Sequence, residues 1–219
     1  MLMFKTSRIC ICDVLFKKKY GDFWQKHEKS NPNFYETIFD NIKLKHENFL
    51  EYLKGLKNIE TVLEVGCGTG IYPTRYPELL GQYTGLDISK PAIEHCKRTL
   101  KQNFICDDFV KHEFDTKFDL VFSHSVIDHV PDIDSFIKKI ALCSKKHAYI
   151  SAYRGYFPKL EEHQQQWNKD GYYLNDLSLS KITEALLEVG IKEDELLIKL
   201  GDTGHKERPV ETIIIIEKS

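Results

Sequence analysis

The chain has 219 residues, 42% of them hydrophobic and 29% charged, the composition of a soluble globular protein with apolar material for one generous α/β domain. Its 31 Lys and Arg nearly balance its 33 Asp and Glu, which argues against the broad basic footprint of a dedicated nucleic-acid binder. No apolar run approaches transmembrane length, and Lys5 and Arg8 interrupt the start before a signal-peptide core forms.

The six cysteines, Cys10, Cys12, Cys67, Cys96, Cys106 and Cys143, are scattered and form no CxxC pair. Reduced thiols in a cytoplasmic setting are expected, with no metal site and no membrane partner. Residues 1–19 form an arm with no assigned structure or role. From Tyr20, the aromatic segment YGDFW and then Phe34, Tyr35, Ile38, Phe39 and Ile42 lead at helix-like spacings into a helix through about Leu56. Residues 20–57 are thus read as a helical cover.

The stretch TVLEVGCGTG, from Thr61 to Gly70, organises the remainder of the chain. Val62, Leu63 and Val65 form a short apolar run with β-branched members, the mark of a strand buried on both faces of a parallel sheet. Gly66, Gly68 and Gly70 let the backbone turn sharply and approach a ligand that any Cβ would obstruct. Glu64 lies inside the apolar run and needs a partner there, since an unpaired buried charge is costly; a lysine or a bound cation would serve.

Ile71 to Leu80 is predicted as a short helix with Pro73 in its first turn. Tyr83 to Ile88 is a second strand, with Asp87 near its end, where an acidic ribose-binding group belongs after a glycine turn. Ser89 caps a helix to about Lys101, and Asn103 to Cys106 is a brief third strand followed by Asp107 and Asp108. Phe118 to Ser123 is a fourth, buried strand, with Ser123, His124 and Ser125 at its carboxyl end, where open α/β sheets bind ligands. Ile133 to Cys143 reads as a helix, Ala148 to Ala152 as a fifth strand, and Ser178 to Val189 as a helix ended by Gly190. Leu196 to Leu200 and Val210 to Ile216 complete the sheet, and the short loop GDTGHKERP between them predicts a reversed last strand. The alternation gives a doubly wound, seven-stranded, mostly parallel α/β sheet.

VLEVGCGTG, GLDIS, ICDDF and FDLVFSHSVIDHVPD, in this order and at these distances, resemble the class I S-adenosylmethionine-dependent methyltransferases from about Tyr20 onward. A nicotinamide site would want GxGxxG, and its last glycine position holds Ile71. The resemblance implies a Rossmann-like fold and S-adenosyl-L-methionine as methyl donor. Glu64, Gly66 and Gly68 would lie along the methionine part of the donor, Asp87 would hold the ribose hydroxyls, and Ile88 would flank the adenine. Asp107 would accept from the adenine amino group, Asp108 would present backbone to the ring, and Phe109 would pack beside it. Ser123 and His124 would line the reacting centre, and Tyr20 and Trp24 would cover the donor. Where small-molecule members often carry a Glu-His pair after the fourth strand, this chain has Asp128 and His129.

The activity so implied is methyl transfer to an oxygen or nitrogen of a small-molecule acceptor. A protein methyltransferase and a non-catalytic donor-binding protein are the alternatives. His124 is the candidate general base, with His163 and His205 behind it. Residues 153–176 are long for a strand-to-helix connection and are read as an acceptor lid, or as a helical excursion on the sheet edge. His205, Lys206 and Arg208 on the last loop point to an anionic acceptor.

Overall fold

The computed structural model describes residues 19–25, 43–207 and 209–219. The sequence-based assignments for residues 1–18, for 34–42 and for Arg208 lie outside them. Among the described residues no helix is long and apolar enough to cross a membrane.

Strand alternation builds two cores on one sheet. In β1 (Thr61–Val65), Leu63 and Val65 face one layer while Val62 faces the other, as the two-residue period of a strand requires. The remaining strands are β2 (Gln82–Asp87), β3 (Asn103–Cys106), β4 (Phe118–His124), β5 (Ser144–Ala152), β6 (Gln164–Trp167), β7 (Tyr173–Asp176), β8 (Leu196–Asp202) and β9 (Val210–Glu217). Among the described residues the helices that pack on the sheet are α1 (Lys43–Gly55), α2 (Ile71–Arg75), α3 (Lys90–Thr99), α4 (Ile133–Cys143) and α5 (Leu179–Glu188). Phe49 and Leu53 of α1, Tyr72 of α2 and Ile93 of α3 fill the layer on one face. Phe136, Ile137 and Ile140 of α4, with Ile182 and Leu186 of α5, fill the other.

The main sheet runs β3-β2-β1-β4-β5-β9-β8. All neighbours are parallel except β9, which is antiparallel to both β5 and β8; the reversed last strand is as expected. The chain winds outward from β1 in one direction through β2 and β3, and in the other through β4 and β5. The crevice above β1 and β4 is therefore the point where strand order reverses, the natural ligand site of such sheets.

Side chains set the element ends. Ser89, Asp132 and Ser178 each accept a backbone N–H from the first turn of α3, α4 and α5. Asp119 fastens the entry of β4 to that of β1, its Oδ2 accepting the N–H groups of Glu60 and Thr61 at 3.0 Å each. Lys218 closes α4, its Nζ donating to the carbonyls of Ala141 and Ser144.

Three boundaries differ from the sequence reading. The helix after the glycine turn ends at Arg75 and resumes as a 3-10 turn, Pro77–Leu79, because Pro77 offers no N–H to continue the ladder. β5 starts at Ser144, directly after α4. Residues 153–176 contain no helix; Gln164–Trp167 and Tyr173–Asp176 pair as an antiparallel two-stranded hairpin. Gly171, at φ +98, supplies the left-handed turn residue between them.

Candidate donor and acceptor site

The turn after β1 is left-handed three times, at Gly66 (φ +79), Gly68 (φ +51) and Gly70 (φ +76). The N–H groups of Gly66 and Cys67 both donate to the Leu86 carbonyl at the end of β2, at 2.7 and 3.2 Å. A Cβ on Gly66 would lie 2.1 Å from Cγ2 of Val126, so the segment after β4 presses on this turn and only glycine fits.

Asp87 ties the turn to the end of β2. Its Oδ2 accepts the Gly68 N–H and its Oδ1 the Ser89 N–H, both at 2.8 Å. Burial raises its pKa, and the N–H groups of Ser89, Gly68 and Ile88 oppose that rise. A carboxylate oriented by two backbone donors keeps further lone pairs for a diol.

Glu64 is 4% exposed, and its hydrogen-bond partner is a phenol rather than a lysine: the Tyr83 hydroxyl donates to Oε2 at 2.5 Å. Burial pushes this carboxyl well above its ordinary range, and the Tyr83 bond only partly offsets it. A neutral acid beneath a glycine turn fits an incoming ammonium group, which would restore its charge.

The N-terminal segment lies across the far side of the turn. Gln25 Nε2 donates to the Ile88 carbonyl at 2.8 Å and Gln25 Oε1 accepts the Lys90 N–H at 3.1 Å. Burial, then the charges of Asp108 and Asp87, raise the Tyr20 phenol, so its ring stands beside the two acidic strand ends. The Trp24 ring is 5.3 Å from His129 and 6.1 Å from Tyr172. Tyr20, Trp24, Asp87, Ile88 and Asp108 thus gather around one rim.

Two of the anticipated residues are held by their own neighbours. Asp107 spends its oxygens locally, accepting the Asp108 N–H and meeting His112 Nδ1, both at 2.8 Å; the His112 bond lowers its pKa. The Phe109 ring is buried in the core, edge-on to Phe136 at 5.4 Å, and supports the β3 loop from beneath.

At the end of β4, Ser123 pairs in register with Val65, just before the glycine turn. Its Oγ is buried and has no hydrogen-bond partner among the described residues. Ser125 holds φ +57, a left-handed strain kept at a ligand-side strand end by its N–H bond to the Ser151 carbonyl at 2.7 Å. His124 Nδ1 meets Ser151 Oγ at 2.8 Å. Its ring stacks on Tyr72 (5.0 Å, 20° between planes) and is edge-on to Phe49 at 4.8 Å.

The other histidines are placed differently. His163 lies among α4 and α5 on the opposite face, its Nδ1 accepting the Ser178 N–H at 3.0 Å and its Nε2 3.4 Å from Asp134. His205 Nδ1 accepts the Glu207 N–H within the β8–β9 loop. His129 donates through Nδ1 to the Tyr173 carbonyl at 2.8 Å, and Asp128 Oδ2 accepts the Tyr153 N–H at 3.2 Å. That pair fastens the hairpin and the end of β5 to the β4 segment.

His46, Tyr72 and Ser151 were not anticipated from the sequence. His46 had a signal: it shares a helix face, at i, i+3, i+4 and i+7, with buried Phe49, Leu50 and Leu53. A histidine on an otherwise apolar stripe marks a buried polar group with work for its nitrogens.

Residues 63–152 match the family model described as a methyltransferase domain, and this span holds the glycine turn, Asp87 and His124. That span is similar to a methyltransferase domain. Over 150 residues, 62% of the chain, it is 30% identical to a ubiquinone biosynthesis O-methyltransferase of Pelagibacter ubique, covering 60% of that protein. A further 30% identity over 127 residues, 54% of the chain, links it to a malonyl-[acyl-carrier protein] O-methyltransferase of Ilyobacter polytropus, 45% of whose length is covered. The chain therefore spans about half of these relatives. Among solved structures, the methyltransferase fold recurs in magnesium protoporphyrin IX methyltransferase of Synechocystis with bound S-adenosylmethionine (TM-score 0.57, 17% identity, 90% of each chain). It recurs also in 1,6-didemethyltoxoflavin-N1-methyltransferase of Burkholderia thailandensis with bound S-adenosylhomocysteine (TM-score 0.64, 13% identity, 91% of this chain and 89% of that one). The glycine turn, Asp87 and buried Glu64 fit the ribose and ammonium groups of the S-adenosyl ligands those two structures hold.

Proposed function

We propose that the protein transfers a methyl group from S-adenosylmethionine to a hydroxyl oxygen of a small-molecule acceptor, with His124 as general base. The observation that carries this reading is the position of His124 across the β1/β4 crevice from the Asp87-fastened glycine turn. Gly66 and Gly68 hold the methionine part of the donor, Glu64 its ammonium, Asp87 the ribose, and Ile88, Asp108 and Tyr20 the adenine side, with Trp24 closing over them. Bound there, the donor supplies a methyl on a positively charged sulfur, which becomes a neutral thioether as the methyl leaves.

The chain's own share is alignment and proton removal. Nδ1 of His124 meets Ser151 Oγ, and the imidazole is the group that takes the acceptor's proton. That proton passes from oxygen to nitrogen as the oxygen–methyl bond forms, so one imidazolium results. Holding nucleophile, carbon and sulfur in line at the carboxyl ends of β1 and β4 supplies much of the rate, and a base near neutral pH adds roughly 10²–10⁴-fold. The hairpin acts as a lid on the acceptor, and exposed Lys206, on the loop after β8, meets an anionic group on it.

Calorimetry with S-adenosylmethionine, S-adenosylhomocysteine and NAD, then transfer from labelled donor to hydroxylated acceptors, tests this reading. Both adenosyl ligands should bind and NAD should not. His124→Asn should keep donor affinity and lose turnover; full turnover in that variant removes His124 from the mechanism.

A further inference from the structure

We propose that His46, on the cover helix α1, is a positioning residue of the acceptor site that acts through the Tyr72 hydroxyl to set the plane of the His124 ring. The proposal rests on the methyl-transfer reading of His124 and extends it to a residue outside the span matched by the methyltransferase model. Three elements meet here. His46 Nδ1 is 2.6 Å from Tyr72 Oη, the Tyr72 ring stacks on His124 at 5.0 Å and 20°, and the His46 ring is edge-on to both, 5.6 Å from Tyr72 and 5.9 Å from His124.

His46 is 7% exposed and Tyr72 3%, so their bond is shielded from water and its loss leaves polar atoms uncompensated. The Tyr72 phenol stays protonated, because burial resists its ionisation. Its proton is therefore available for His46 Nδ1 in the tautomer that carries its hydrogen on Nε2. A phenol O–H prefers the plane of its own ring, so a bond that fixes the direction of the Tyr72 O–H favours one ring plane, and the near-parallel His124 ring is stacked against that plane. Two residues on, Asn48 Nδ2 donates to the Asp202 carbonyl at 3.0 Å. The cover helix is thus also tied to the end of β8, where the acceptor loop begins.

A ring that merely filled the core would act by volume. The two roles separate in four variants, H46F, H46N, Y72F and H46F/Y72F, each saturated with S-adenosylhomocysteine as the probe. The readout is the His124 imidazole signal in nitrogen–proton NMR of histidine-labelled protein, with calorimetric affinity for S-adenosylhomocysteine as the check on the donor site. H46F and Y72F should displace the His124 signals alike, the double variant should add nothing, and H46N, whose amide oxygen stands where Nδ1 did, should restore them, with donor affinity unchanged throughout. Additive displacements in the double variant, or His124 signals unmoved by H46F, overturn the proposal. Should H46F fail to fold, Y72F, which removes a single oxygen and keeps the packed ring, must still displace the His124 signals and H46N must not. Full turnover in His124→Asn would sink the general-base reading alone, because the NMR coupling does not depend on which group takes the proton.

Discussion

The backbone N–H of Gly68 donates to the carboxylate of Asp87 at 2.8 Å, so the glycine turn and the acidic strand end are one hydrogen-bonded unit. Asp87 shapes the loop as well as offering oxygens to a ribose. Asp87→Ala should therefore cost more than one ligand contact. Charge-assisted bonds contribute about 1.5–3 kcal/mol each, and affinity for S-adenosylhomocysteine should fall about 10- to 100-fold or more by calorimetry. Unchanged affinity would remove Asp87 from the site.

Glu64 leads to a prediction with opposite signs for stability and binding. Its folded-state pKa lies well above the ordinary 4.5 because of burial. The folded protein thus holds this proton above pH 4.5 while the unfolded chain has released it, and stability is lost as pH rises from there toward the folded value. Glu64→Gln removes that loss and should raise the unfolding temperature at neutral pH. The same variant has no charge to offer an ammonium, so donor affinity should fall. Calorimetry of the wild type in buffers of different ionisation enthalpy should show a proton released on donor binding, and the variant should show none from this group.

The strands were legible because each is a short apolar run between turn signals, and the reversed last strand followed from loop length alone. The partner of Glu64 was not legible. Tyr83 lies nineteen positions on, and only the β1/β2 register, with Glu64 opposite Gly85, brings its hydroxyl to the carboxylate. The hairpin at 164–176 was missed because its first strand, QQQW, is exposed throughout and lacks the apolar alternation that marks a half-buried strand; the Asp170-Gly171 turn was the available sign. Tyr72 and His46 come from separate helices, and their meeting on His124 is a property of the packed layers.

Asp119 offers a pH test unconnected with the site. Its carboxylate is buried, which opposes ionisation, but the N–H groups of Thr61 and Glu60, with Lys146 beside them, hold its pKa at about 2 against an ordinary 3.8. A depressed folded pKa stabilises the fold above pH 3.8, and that contribution is lost as pH falls toward 2. Asp119→Asn should lower stability at neutral pH by about 1–2 kcal/mol. It should also flatten the acid side of the stability profile between those two values, as followed by urea unfolding at stepped pH.

Gln25 isolates the covering role of the N-terminal segment from donor chemistry. Its amide makes one bond to the Ile88 carbonyl and one to the Lys90 N–H, both to backbone of the β2–α3 turn. Gln25→Ala deletes both without touching the glycine turn, Asp87 or His124. Two neutral bonds at about 0.5–1.5 kcal/mol each set the loss at about 1–3 kcal/mol in the closed arrangement, where Trp24 stacks near His129 and Tyr172. Since the segment lies over the crevice, the loss should appear in the dissociation rate of S-adenosylhomocysteine and leave association nearly unchanged. In a Trp167→Phe background Trp24 is the sole tryptophan, and stopped-flow fluorescence then reports its movement directly. Faster release with an unaltered association rate is the expected result; a slower association with normal release would mean that Gln25 forms the entrance and does not hold the cover.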